Sequence, residues 1–226
     1  MFERYAVFYT CPTDSDLARF AAQWLGWDSA SGAKTPRFTT AGLDVAEITQ
    51  NPHKYGFHGT IKAPFRLAEG MRQQDLEAGF DAVCSTVQIA PLPQLHLASL
   101  GRFLALVPKG DTNLLQGLAA QVVQDLDVFR APLSAAEIER RAPHRLTPQQ
   151  RGYLDKWGYP HVLDAFRFHM TLTDRLDKPT AAQASAILEQ ALTGIAMPAQ
   201  IDALTLMGQA ADGQFHQIRR HRINGS

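Results

Sequence analysis

The sequence predicts an α+β protein built from two similar lobes, and three observations lead to this fold class. A pattern of aromatic-His-x-Thr-aliphatic residues begins at Phe57 and returns 111 residues later at Phe168. Each copy is followed by the same predicted order of elements, a helix and then two strands joined by a hairpin turn. The 226 residues, 45% hydrophobic and 19% charged, suffice for a sizeable core. We therefore expect one domain over residues 1–226, with lobes at about 1–110 and 111–226.

In the first half, apolar residues alternate or recur at helical spacing. Leu17, Phe20, Ala21 and Trp24 fall on one helical face. The predicted elements are a strand at 4–10, a helix through 17–24 capped by Thr13 or Asp14, a strand beginning at Phe57 and ended by Pro64, a helix at 72–87, and a hairpin of 95–100 with 103–107.

The second half repeats this order and adds a helical insert at about 130–160. Two capping boxes, Ser134-x-x-Glu137 and Thr147-Pro148-x-Gln150, predict two short helices there. The other predicted elements are a helix at 111–129, the second motif strand at 165–173, a helix at 179–193, and a hairpin of 201–207 with 214–220. The insert is either a solvated decoration or a basic cap over a substrate mouth, and its basic residues are Arg130, Arg140, Arg141, His144, Arg145, Arg151 and Lys156.

Composition excludes several classes of function. The 22 basic and 22 acidic side chains cancel, which argues against charge-driven binding to duplex nucleic acid or to an anionic membrane. Cys11 and Cys84 have no CxxC spacing, so neither a disulfide scaffold nor a zinc site is indicated. No stretch approaches the ~18 apolar residues that cross a bilayer. We expect a cytoplasmic protein with a small anionic substrate, no membrane partner and no cofactor; the sequence does not indicate the oligomeric state.

The polar face of each motif strand carries the candidate site. Because successive side chains in a strand point to opposite faces, His58, Thr60 and Lys62 should share one face. The corresponding face of the second strand holds Arg167, His169, Thr171 and Thr173. Candidate groove residues beyond the two His-Thr pairs are Tyr55, Lys62, Arg167 and Thr173; each also suits a structural role as an edge aromatic, a surface cation or a β-forming residue.

Two facing His-Thr pairs suit the opening of a cyclic phosphodiester. An imidazole whose pKa is near 6.5 donates or accepts a proton at neutral pH, so His58 and His169 supply a general base and a general acid. The hydroxyls of Thr60 and Thr171 would hold the non-bridging oxygens. Two-metal phosphodiesterases use clustered carboxylates beside their histidines, and neither motif has one before Asp174. The symmetric motifs do not decide which histidine is the acid.

Two His-x-Thr-hydrophobic motifs about a hundred residues apart resemble the 2H phosphoesterase superfamily, which includes RNA 2′-5′ ligase-like and cyclic phosphodiesterase proteins. Longer strings resemble one branch, a family of domains of unknown function associated with phosphonate operons; they lie at 4–8, 55–65, 129–133, 157–160 and 166–173.

This resemblance implies a bilobal, pseudo-two-fold fold of two antiparallel sheets facing a central groove, with helices outside. It also implies a metal-independent phosphoesterase site in which His58, His169, Thr60 and Thr171 are the catalytic residues. By analogy, the phosphonate association suggests a cyclic sugar phosphate such as a phosphoribosyl 1,2-cyclic phosphate. The alternative is a module that binds RNA ends or resembles an RNA ligase, using the same groove; a basic track with stacking aromatics would favour it.

Overall fold

Within residues 2–141 and 146–223, which the computed structural model describes, the chain forms eleven strands and seven α-helices. The strands are β1 (Arg4–Tyr9), β2 (Trp27–Asp28), β3 (Ala33–Lys34), β4 (Gly59–Phe65), β5 (Ala90–Pro91), β6 (Leu95–Leu100), β7 (Phe103–Pro108), β8 (Met170–Thr171), β9 (Gln200–Ile201), β10 (Ala203–Gln209) and β11 (Phe215–Arg222). The helices are α1 (Asp16–Leu25), α2 (Pro52–Tyr55), α3 (Gln73–Thr86), α4 (Asn113–Asp125), α5 (Ala135–Arg141), α6 (Pro148–Trp157) and α7 (Lys178–Ala191).

Seven strands form one antiparallel sheet in the order β11-β10-β1-β4-β8-β7-β6. The predicted α+β class with antiparallel strands is therefore confirmed. The two expected sheets are continuous with each other, because β4 and β8 pair through Gly59 and Met170. The two motif strands are thus neighbours at the centre of the sheet.

Each of the two hairpins pairs with a strand from the other half of the chain. The β6–β7 hairpin of the first half pairs with β8, whereas the β10–β11 hairpin of the second half lies beside β1. Strands β5 and β9, at equivalent places in the two halves, pair with each other. The sheet consequently does not divide at residue 110. The description of the chain as one domain of two lobes stays a prediction.

The main core lies between one face of this sheet and four helices. Tyr5, Val7 and Tyr9 point from β1 into a buried cluster with apolar side chains of α1, α3, α4 and α7. Ala6 and Phe8 point the other way and form a smaller cluster with Met207 and Phe215. Alternation along β1 therefore separates a helix-covered face from a face that is left for the site.

Several predicted boundaries were wrong. The second motif strand is limited to Met170–Thr171, because Leu163–Ala165 forms a 3₁₀ turn and the following residues are irregular. Pro64 lies inside β4, where the pairing with β1 is irregular, so its missing N–H is tolerated. Ser15 caps α1 in place of Thr13 or Asp14, since its Oγ accepts a hydrogen bond from Ala18 N at 3.2 Å.

The insert contains both predicted helices, α5 and α6. Thr147 and Gln150 form the expected capping box at α6, and Gly158 ends that helix with φ +72°. Ser134 and Glu137 form the other capping box, since Ser134 N donates to Glu137 Oε2 at 2.9 Å. His144, Arg145 and the side chains of Arg140 and Arg141 lie outside the described residues. Among the described helices, none has the length and apolar character needed to cross a membrane.

Candidate active site

The two motifs meet where β4 and β8 pair. Phe168 of the second motif packs on Gly59 of the first, and a Cβ on Gly59 would lie 2.3 Å from the Phe168 ring. The residue between His58 and Thr60 therefore has to be glycine. Behind this contact, the Trp24 indole N–H donates to the Leu172 carbonyl at 2.8 Å and fixes the second motif to α1. The centre of the sheet thus holds both copies at a fixed separation.

His58 is held by both of its ring nitrogens. Nδ1–H donates to the Gly56 carbonyl at 2.8 Å, and Nε2 lies 3.1 Å from Thr60 Oγ1. Because a carbonyl only accepts, the neutral ring carries its proton on Nδ1, and the Thr60 hydroxyl donates to Nε2. Gly56 has φ +71°, and a Cβ there would meet Ser29 Oγ at 2.9 Å. Glycine at this position allows the turn that aims the carbonyl at His58.

Aromatic rings surround His58. Phe8 stacks on its imidazole with centroids 3.8 Å apart, and Tyr55 stacks at 5.7 Å. Burial is the main cause that lowers the pKa of His58 to about 4; the bond to the Gly56 carbonyl acts in the opposite direction, and the nearby His169 contributes a smaller lowering. His58 is therefore uncharged at neutral pH and suited to accept a proton.

His169 has the same local geometry in a more open setting. Its Nδ1–H donates to the Arg167 carbonyl at 2.9 Å, which repeats the two-residue spacing from His58 to Gly56. Its ring lies 5.7 Å from Phe103, which lines the cleft. The predicted repetition therefore extends to the hydrogen bond that orients each imidazole.

A cleft of about 1470 Å³ opens above this pair of motifs. Its lining includes His58, Thr60, Thr171 and Phe103, but not His169. The register of β4 defines two ends of the cleft: towards Gly59 and the residues after β8 the lining includes Asn51, Lys54, Tyr55, Asp174 and Arg175, and towards Phe65 it includes Arg4, Arg66, Glu137, Tyr159 and Gln209. Both threonines of the motifs thus reach the same space as His58.

The remaining predicted groove residues have different outcomes. Tyr55 lines the cleft and stacks on both His58 and Phe215. Thr173 borders the cleft, but its hydroxyl accepts from Leu104 N and donates to the Asp174 carbonyl, both at 2.9 Å. Arg167 is exposed and contributes the carbonyl that orients His169. Among the predicted groove residues, Tyr55 is therefore the one that presents an aromatic ring to the cleft.

Lys62 does not reach the cleft, and this prediction was wrong. Its ammonium is buried and donates to the Val123 carbonyl at 2.9 Å, with Asp127 Oδ1 at 3.4 Å. A bulge in β4 causes the change, since Thr60 lies opposite Phe8 whereas Lys62 lies opposite Val7, the next residue of β1. Phe8 and Val7 face opposite sides of the sheet, so Thr60 and Lys62 do too. Burial lowers the pKa of Lys62 to about 8.

The insert borders the cleft through Ser134, Ala136, Glu137 and Tyr159. Its described basic side chains, those of Arg130, Arg151 and Lys156, do not line this cleft, so they do not form the basic cap that was one of the two interpretations of the insert. Arg130 bonds to Asp127 at 2.6 Å and to the Lys156 carbonyl at 2.9 Å, while the Lys156 ammonium lies over the Trp157 ring. The insert is therefore a wall of the cleft, and its cations Arg130 and Lys156 make their contacts outside the cleft.

Two features of the site were not predicted. Asn51 binds the Asp174 carboxylate through both its backbone N–H (3.0 Å) and its side-chain amide (2.8 Å). This contact joins the segment before the first motif to the segment after the second. Phe8 supplies the ring beneath His58, and period-two alternation along β1 could have assigned it to the cleft face. The Asn51 contact joins distant parts of the chain and has no local signal. Among the described residues, no group of three or more His, Cys, Asp or Glu side chains is arranged to hold a metal ion.

Two curated relatives match nearly all of the chain. It is 34% identical over 218 residues to "Ribose 1,5-bisphosphate phosphokinase PhnN" of Janthinobacterium sp. (strain Marseille), covering 93% of this chain and 48% of that protein. It is 30% identical over 206 residues to the protein of the same name from Laribacter hongkongensis (strain HLHK9), covering 86% and 47%. The chain therefore spans about half the length of the curated relatives it matches.

Solved structures with similar topology include a phosphoesterase at TM-score 0.44 and 14% identity, covering 99% of each chain. Another is E. coli LigT complexed with ATP, at TM-score 0.45 and 13% identity, covering 98% of each chain. Likenesses at this level do not extend to function. The model of the family described as "Protein of unknown function (DUF1045)" matches residues 60–216. This confirms the predicted branch of domains of unknown function: the chain belongs to the DUF1045 family.

Proposed function

We propose that the protein is a metal-independent phosphoesterase that hydrolyses a cyclic phosphodiester on a sugar or nucleotide. The observation that carries this proposal is the pair of His-Thr motifs on adjacent strands, each histidine oriented by a carbonyl two residues earlier. Two imidazoles held in this way supply a base and an acid beside the two hydroxyls.

In the proposed reaction, His58 acts as the base. Its burial keeps the ring uncharged at neutral pH, and its Nε2 faces the Thr60 hydroxyl and the cleft. A water molecule in the place of that hydroxyl contact gives its proton to Nε2 as its oxygen attacks phosphorus. The P–O bond to the sugar breaks, and His169 gives a proton to the departing sugar oxygen. Thr60 and Thr171 donate to the non-bridging oxygens, where negative charge increases.

The names of the relatives favour a particular substrate within this class. The matched relatives are named ribose 1,5-bisphosphate phosphokinases, and this chain corresponds to about half of their length. Its sequence contains no G-x-x-x-x-G-K-[S/T] phosphate-binding pattern. We assign the kinase activity to the other half of those proteins. A phosphoesterase that works beside such a kinase would supply its substrate by opening phosphoribosyl 1,2-cyclic phosphate at the P–O2 bond, which leaves phosphate on O1.

The size of the cleft favours a second candidate, the binding of RNA ends. A volume of about 1470 Å³ exceeds the ~300–1,000 Å³ of common small-ligand pockets. Tyr55 lies in its lining, where an aromatic ring could stack on a base. An RNA with a 2′,3′-cyclic phosphate end would place the same chemical group over the two motifs.

The test is incubation of the purified protein, with EDTA present, with phosphoribosyl 1,2-cyclic phosphate, 2′,3′-cyclic nucleotides and RNA carrying a cyclic phosphate end. Phosphorus NMR identifies which ring opens and which oxygen keeps the phosphate. The matched controls are His58→Ala, which should lower the activity by about 10²- to 10⁴-fold, and His96→Ala, which removes an exposed histidine of β6 and should keep full activity. Activity that EDTA abolishes and added zinc restores would exclude the metal-free reaction.

A further inference from the structure

One end of the cleft contains an arginine whose charge is not balanced by a carboxylate. Arg4 is half-buried, and its Nε donates to Gln209 Oε1 at 2.6 Å. The Gln209 amide in turn donates to the Gly213 carbonyl at 3.0 Å, so the β10–β11 hairpin fixes the acceptor. Gln209 is neutral, and no ion pair of Arg4 occurs within the part of the chain that the structure describes. Arg4 therefore keeps its full charge, with the terminal N–H donors of the guanidinium available to a ligand.

A second arginine lines this end of the cleft, and its charge is already paired with a carboxylate. Arg66 Nη2 lies 2.7 Å from Glu137 Oε2, and this carboxylate also accepts from the Ser134 backbone. Arg66 thus holds α5 of the insert in place. The two arginines line the same end of the cleft, but only Arg4 has a neutral partner.

The geometry of β1 relates Arg4 to the reacting centre. Arg4, Ala6 and Phe8 alternate onto the cleft face of the strand, and Phe8 stacks on His58. Arg4 and Phe8 are four positions apart in an extended strand, which corresponds to ~13 Å between their Cα atoms. Arg4 and His58 therefore suit a substrate with a second anionic group beyond the scissile phosphodiester.

We infer that Arg4 determines specificity for a substrate that carries a terminal phosphate in addition to its cyclic phosphodiester. The guanidinium, oriented by Gln209, would bind that phosphate through its two terminal nitrogens, the bidentate geometry that arginine favours. This inference rests on the proposed phosphoesterase function and adds to it a requirement for a second phosphate.

The test compares one substrate with and without its terminal phosphate, namely phosphoribosyl 1,2-cyclic phosphate and ribose 1,2-cyclic phosphate. The wild type should prefer the phosphorylated substrate by about 10- to 100-fold in kcat/KM, the range expected for a charge-assisted hydrogen-bond pair. Arg4→Gln should bring the ratio of the two kcat/KM values close to one, mainly through KM, and Arg4→Lys should restore part of it. A purely structural Arg4 would lower both values together and keep the ratio, which would overturn the inference.

Two control variants test whether the second phosphate binds at Arg4 or elsewhere in the cleft. Arg66→Gln removes a charge at the same end and should leave the preference in place. Arg175→Gln removes a charge at the opposite end and should do the same. Loss of the preference in Arg175→Gln, with its retention in Arg4→Gln, would assign the second phosphate to the other end. An equal loss in Arg66→Gln and Arg4→Gln would indicate a general charge effect and would also overturn the inference.

Failure of the proposed function gives a different result. If the wild type opens neither ring, binding of ribose 5-phosphate is measured by calorimetry in the wild type and in Arg4→Gln. An affinity that falls about 10- to 100-fold in the variant supports the subsite without the reaction. Equal affinities, or no binding by the wild type, would overturn it.

Discussion

The two motif copies have nearly the same residues but lie in different surroundings. The first copy leads into the seven-residue strand β4, and its histidine stacks with both Phe8 and Tyr55. The second leads into the two-residue strand β8, and its histidine contacts the Phe103 ring at a longer centroid distance of 5.7 Å. Each ring nevertheless donates from Nδ1 to a carbonyl two residues earlier.

In the proposed reaction, this difference gives the two copies of the motif different roles. The local turn fixes the orientation of each imidazole, and aromatic rings enclose that of His58. Burial lowers the pKa of His58 to about 4, which favours the uncharged base. The proposed base and acid therefore come from the same motif in two different surroundings.

The largest expected effect is loss of either histidine. His58→Ala and His169→Ala should each lower kcat by about 10²- to 10⁴-fold. A p-nitrophenyl phosphodiester separates the roles, because its good leaving group does not need a general acid. His169→Ala should recover most of its loss on this substrate, and His58→Ala should not. Recovery by His58→Ala instead would reverse the assignment of base and acid.

The threonines should have the next largest effect. Thr60→Val and Thr171→Val each remove a hydroxyl that would donate to a charged phosphoryl oxygen, so kcat/KM should fall about 10- to 100-fold. Thr60→Val should be the more severe, because Thr60 also bonds to His58 Nε2. Thr→Ser variants, which keep the hydroxyl, should retain most of the activity. Steady-state kinetics on the best substrate of the panel measures this order, and a Thr→Ser loss as large as Thr→Val would argue against hydroxyl donation.

Lys62 should affect stability more than chemistry. Lys62→Met removes the donor to the Val123 carbonyl, so the free energy of unfolding should fall by about 1–3 kcal/mol while kcat stays within about twofold. The pKa of Lys62 is lowered to about 8 from 10.5, so the unfolded chain binds more protons between these values. Its contribution to stability therefore rises with pH from about 8 to 10.5.

Urea unfolding of wild type and Lys62→Met across this pH range isolates the lysine, because the other titrating groups are common to both proteins. The stability difference should widen as pH rises. A large loss of kcat in Lys62→Met would place Lys62 in the reaction after all and contradict the effect of the bulge.

The smallest effect should follow a change in the ring beneath His58. Phe8→Leu admits more water to the imidazole, which relieves the burial that lowers its pKa. The pKa of His58 should rise from about 4 towards its ordinary value of 6.5. The acid limb of kcat/KM should move to higher pH by a similar amount. Proton NMR of the His58 ring protons follows the change, and an unchanged His58 titration would remove Phe8 as the cause.

The class of fold, the order of the longer elements, both capping boxes of the insert and the two His-Thr pairs could be predicted from the sequence. These features depend on strand alternation, helical spacing and helix caps, which are patterns among residues that are close along the chain. The same local rules identified the Leu95–Leu100 strand and its hairpin partner. The family resemblance depended on the same local strings.

Contacts between distant parts of the chain decide which of the polar side chains face the cleft. The bulge opposite Val7 turned Lys62 to the helix side, and exchange of the hairpins placed β7 beside the second motif. The pairing of Arg4 with Gln209 and the stacking of Phe8 on His58 also join residues far apart in sequence. Strand pairing and side-chain packing between distant segments set these contacts, so no local pattern of residues records them.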